Sequence, residues 1–166
     1  MKKKGNNKGF TLVELIVVLV ILAILAAILV PALLGYIDSA RNKQTLLNAR
    51  SAMTAAQAEL SAIYGANTVS PNAIATTNDP HKKNLERTAD LDALVPAVSV
   101  FEVGCKEKYD PTANRKDHHG AFTVTWVHYK DASAEVWYNG KTGEWSDTTV
   151  SITDAGGVAD AVYKVK

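Results

Sequence analysis

Glu14 is the residue whose position most demands a chemical reason. It is the only acid before Asp38, and it opens an apolar run, Leu15 to Leu34, broken only by Pro31. A carboxylate in a spanning helix costs about 2.5–3.5 kcal/mol, so it needs a partner or a task. No lysine or arginine lies between Gly9 and Arg41. The partner must be a terminal amine, another molecule or the headgroup region. A cut between Gly9 and Phe10 would place a new α-amine one helical turn from Glu14, for pairing within one chain or between neighbours staggered along a filament. The plainer alternative is that Glu14 marks the membrane surface, where a helix N-terminus favours negative charge.

Other chemistry is sparse. His81, His118, His119, His128 and Cys105 are the soft-metal candidates, and their spacing fits no zinc motif. The adjacent histidines read as a turn. Asp147, Asp154 and Asp160 are scattered through C-terminal loops without an EF-hand pattern. No metal site and no cofactor is expected. There is no phosphate-binding glycine loop and no nucleophile elbow, so an enzyme is not expected. A lone Cys105 cannot close an internal disulfide. Tyr138 and Trp145 could serve adhesion, although a small sheet usually buries most such rings.

The elements that position Glu14 begin with a basic leader. Met1 to Gly9 reads MKKKGNNKG, with Lys2, Lys3, Lys4, Lys8 and no acid. The apolar residues that follow rise roughly 30 Å as a helix, enough to cross a bilayer. Lysines before the run predict a cytoplasmic N-terminus, with the bulk of the chain outside. A secretory signal peptide is the competing reading, since Ala23, Ala26, Ala27 and Ala32 offer small residues for cleavage. Pro31 removes a backbone donor, and Gly35 adds freedom nearby. Residues 28–35 are where the helix would bend or melt on assembly, or simply hold a static kink.

The run KGFTLVELIVVLVILAILAAILVPALLGY, Lys8 to Tyr36, resembles the N-terminus of a type IV pilin precursor, nearer the type IVa than the type IVb class. The resemblance implies cleavage between Gly9 and Phe10 by a membrane prepilin peptidase, N-methylation of Phe10, and a role for Glu14 in docking subunits. It also implies identical subunits, the pilus assembly machinery and, before assembly, cytoplasmic membrane lipids as partners. Major pseudopilins of this wider group bind calcium, the one reason to watch Asp147, Asp154 and Asp160. The chain departs from many pilins in lacking a C-terminal cysteine pair.

The 166 residues carry a formal charge of +1, and the leader's four lysines leave the remaining 157 residues at −3. Such a chain is not built to grip nucleic acid. Three parts are expected: a cleaved leader (1–9), a transmembrane and filament-core helix (10–35), and an extracytoplasmic globular domain (36–166). After Gly35 an apolar stripe continues through Leu46, Ala49, Met53, Ala56, Leu60 and Ile63, with Asp38, Arg41, Lys43, Arg50 and Glu59 on other faces. The helix is expected from Thr11 to Tyr64, about 80 Å long, with Gly65 as its cap.

Ala66 to Asn84 reads as a loop, and Leu85 to Leu94 as a short helix stopped by Pro96. Ala97 to Val103 alternates loosely. Ala121 to Lys130 reads as a strand with Phe122, Val124, Trp126 and His128 on one face. Ser133 to Tyr138 is the next strand, turns follow at Asn139-Gly140 and Thr142-Gly143, and Ala161 to Val165 forms an edge. Three or four antiparallel strands against one long helix give an α+β architecture, in agreement with the pilin fold. This architecture should bury Trp126, Val136 or Trp137, and the apolar stripe of the helix.

The expected function is a structural subunit of a type IV pilus supporting motility, adhesion or biofilm formation. The alternatives are a pseudopilin of a secretion or DNA-uptake system, an uncleaved signal-anchored binding domain, and a secreted soluble protein.

Overall fold

The computed structural model describes residues 9–66, 69–89, 91 and 97–166. The leader up to Lys8, the end of the helix expected to reach Leu94, and its stop at Pro96 lie outside the described residues. The chain divides into two compact units, residues 1–40 and 41–166.

Helix α1 runs from Leu12 to Ala66. In the first unit its residues are exposed throughout, and the helix is long and apolar enough to cross a membrane by length and composition. In the second unit it turns amphipathic, burying Ala49, Ala52, Ala55, Ala56, Leu60 and Ile63. Leu46 and Met53 of the expected stripe are only half-buried. Gly65 lies inside the helix and not at its cap.

The segment expected as a loop is more ordered. A short 3-10 turn spans Pro71–Ile74, and helix α2 spans Pro80–Thr88. Asp79 caps α2 by accepting the His81 N–H, and Pro80 takes the first turn, where its missing N–H costs nothing. The expected start at Leu85 was therefore five residues late. Leu85 is instead the fully buried contact of α2.

Five strands follow: β1 Val100–Cys105, β2 Val124–Lys130, β3 Glu135–Asn139, β4 Glu144–Ser146 and β5 Val162–Lys164. They form one antiparallel sheet in the order β4-β3-β2-β1-β5. Strand β4 was not foreseen, because three residues are too few to show a period. The β2–β3 connection is shaped by Asp131, whose carboxylate accepts the Ser133 and Ala134 N–H groups. Asn139 does the same for Lys141 at the next turn, which Gly143 completes at φ 73°.

The sheet has two buried faces, and Trp126, Val136 and Trp137 are buried as expected. Val127 and Tyr129 join Phe101, Val103 and Val136 in the core that includes the α1 alanines. Trp126 and Trp137 lie in a second cluster with Ala155, against Val150 and Ile152. The C-terminal segment supplies the cover for the outer face. Phe122 is not in β2. It closes a 3-10 turn, His119–Phe122, with its ring 5.3 Å from Tyr64 and 5.7 Å from Tyr109.

Candidate functional site

The candidate site is the start of α1. Gly9, Phe10 and Thr11 precede the helix and are exposed, Phe10 at 84%. The Gly9–Phe10 bond thus lies in accessible, non-helical chain. Glu14 Oε2 accepts the Thr11 N–H at 2.8 Å and the Thr11 hydroxyl at 2.7 Å. The Glu14 N–H in turn donates to Thr11 Oγ1 at 3.3 Å. This reciprocal pair is a capping box, which satisfies backbone donors left open at a helix start.

Sequence reasoning searched only for charged partners of Glu14 and missed this neutral one. The signal was present as Thr11-Leu12-Val13-Glu14 before an apolar run. The pair holds the acid at the helix mouth with its charge solvated by local donors, which lowers the cost of placing it beside apolar residues.

Downstream, Leu15 to Leu34 presents its side chains outward. Pro31 lies inside the helix, and α1 runs without a break through Pro31 and Gly35. Apart from the adjacent residues and the surrounding helix backbone, no described atom lies within 4 Å of where a Gly35 Cβ would stand. Tyr36 is exposed at the end of the run.

The remaining candidates are dispersed. Glu59, expected on an outer face of α1, is buried and meets His81 Nδ1 at 2.9 Å and the Asn84 amide. His128 lies between Glu135 at 2.7 Å and Glu102 at 3.3 Å, stacked on Trp137 with centroids 5.1 Å apart. His118 is 3.8 Å from Glu107, and His119 begins the 3-10 turn. Asp154 accepts the Ser151 hydroxyl, Asp160 faces Lys108 at 3.5 Å, and Asp147 is exposed. Among the described residues no group of three or more His, Cys, Asp or Glu is placed to hold a metal ion. Cys105 is buried, and desolvation pushes its thiol up to about 12. Tyr138 and Trp145 are half-buried and pack together, with ring centroids 5.3 Å apart.

No curated protein and no solved structure matches the chain. Residues 4–30, which contain the exposed bond, the capping box and the start of the apolar run, match the family model of the prokaryotic N-terminal methylation motif, typical of type IV pilin and pseudopilin precursors.

Proposed function

We propose that the chain is the precursor of a type IV pilin, a structural subunit that polymerises through the apolar part of α1. The observation that carries this reading is one stretch of chain with two properties. It bears the methylation motif, and its about twenty successive apolar side chains are exposed. Such a surface is stable in lipid or against copies of itself, with burial worth roughly 25 cal/mol per Å². A prepilin peptidase would cut between Gly9 and Phe10, removing residues 1–9, and Phe10 would be N-methylated. Residues 10–35 would then serve as membrane anchor and filament core, and residues 36–166 as the extracytoplasmic domain. Glu14 would aid docking by neutralising a terminal amine, its own chain's or a neighbour's. The melting of residues 28–35 on assembly belongs to the same reading, with Pro31 and Gly35 as its cause.

Co-expression with a prepilin peptidase tests the first step. The chain should lose its first nine residues, and a Gly9→Val variant should keep them. An intact leader in the unaltered chain would refute the reading. The motif is equally typical of pseudopilins, which favours that second reading as the rival. Abundance in long surface filaments separates the two, and motility, adhesion and biofilm formation are then distinguished by loss of each behaviour in cells lacking the chain.

A further inference from the structure

Among the described residues, the buried polar or charged side chains are Thr45, Asn48, Glu59 and Asp131. Three of them are on α1, and the fourth is bonded to it. The Thr45 hydroxyl donates to Asp131 Oδ2 at 2.9 Å, and the pair is almost fully buried, at 1% and 4% exposure. Twelve residues on, the Gln57 amide bridges two backbone groups at the start of β2. Its Nε2 donates to the Phe122 carbonyl at 2.9 Å, and its Oε1 accepts the Val124 N–H at 2.8 Å. Glu59 takes His81 and Asn84 from α2. Polar ties thus join α1 to the β2–β3 turn, to the start of β2 and to α2.

The apolar contact between these ties is poor in shape. Ala49, Ala52, Ala55 and Ala56 supply its middle. A slip of α1 by three residues would place Ala52 where Ala49 was, Ala55 where Ala52 was and Ala58 where Ala55 was, so methyl would replace methyl at three of the four, while Glu59 would be carried into the fully buried Ala56 position. The same slip would bring Asn48 to the Thr45 position, Leu60 to the Gln57 position and Ala62 to the Glu59 position. Asp131 would meet the longer Asn48 amide in place of the fitted Thr45 hydroxyl, the Phe122 and Val124 backbone groups would lose their amide partner, and an unsatisfied buried polar group is costly. Buried polar groups are best attested as devices that specify register.

We infer that Thr45, Gln57 and Glu59 form a register lock that fixes the axial position of α1 against its own sheet, where alanine packing alone would not. The lock's use follows from the proposed polymerisation: load entering through the apolar part of α1 would act as axial shear on this contact. The register itself is a property of the unassembled chain, so its test does not depend on filament formation.

The test is pulsed electron spin resonance on the full chain in lipid nanodiscs. Spin labels go at Ala58 on α1 and, in separate samples, at Ala132 or Thr142, before and after β3. The unaltered chain should give one distance for each pair. Thr45→Val, Gln57→Leu and Glu59→Leu together should add a second population displaced by about 4.5 Å, three helical rises, in at least one pair. A Leu60→Ala control should lower the thermal midpoint and keep the single distance. If the combined variant keeps the single unshifted distance, or the Leu60→Ala control alone shifts it, the inference is wrong. Should the combined variant not fold, Thr45→Val with Gln57→Leu, which leaves Glu59 paired, is judged by the same two results.

Discussion

Single side chains in the sheet show how local surroundings decide reactivity and stability. Cys105 is enclosed and its thiol lies near 12, so almost no thiolate forms at pH 8. It should resist a thiol reagent in the native chain and react fully on denaturation, a contrast that mass spectrometry reads directly. The Tyr129 hydroxyl is buried without a hydrogen-bond partner among the described residues. Removing an unsatisfied group spares its desolvation cost, so Tyr129→Phe should raise stability by about 1 kcal/mol or leave it unchanged, measured by denaturant unfolding.

Glu135 is held below the ordinary carboxylate range, first by the Lys130 hydrogen bond and then by His128. A depressed folded-state value means that its contribution is full above the unfolded value near 4.5 and is lost as pH falls below it. Glu135→Gln should flatten the acid side of the stability profile below about pH 4.5. An unchanged slope would show that the ion pairs are screened away.

At the scale of elements, the outer face of the sheet depends on close approaches at glycine, of which Gly157 is one. A Cβ at Gly157 would stand 2.6 Å from Ile152 Cγ1, 2.9 Å from Thr125 Oγ1 and 3.0 Å from the Cys105 carbonyl. The 147–158 segment can cover Trp126 and Trp137 because Gly157 leaves Ile152 this space. Gly157→Ala should cost about 1–3 kcal/mol in thermal or denaturant unfolding, in the range of other overpacked sites.

Legibility followed the length of each signal. The apolar run, the amphipathic continuation of α1 and the strand-rich C-terminal half were readable from long periodic patterns. Helix α2 was misplaced because its evidence is a two-residue cap, Asp79-Pro80, within polar surroundings. Which face of β2 meets the helix was not legible, because alternation shows that two faces differ and not which one meets it. Glu59 looked like a surface acid because its partners, His81 and Asn84, come from a different helix. Of the candidate site, Gly9, Phe10, Glu14 and Pro31 were all singled out from the sequence. The Thr11 bond to Glu14 was not, since a neutral partner leaves no charge to search for.

For the whole molecule, the division of labour is sharp. Residues 41–166 bury their own core around the sheet, and the apolar side chains of residues 15–34 are exposed. A structure so divided is incomplete in water, and the methylation motif implies how it is completed: processing, then assembly into a filament. Glu14→Ala should leave the sheet domain folded, as read by tryptophan fluorescence, and should reduce filament yield at least tenfold in surface preparations. Normal filament yield would remove the docking role from Glu14.

The most direct test of the central claim is mass spectrometry of the N-terminus in filaments sheared from the cell surface. The proposed function predicts a chain that begins at N-methylated Phe10 in that fraction. A chain that keeps Met1 to Gly9, or that begins after the apolar run, would contradict it.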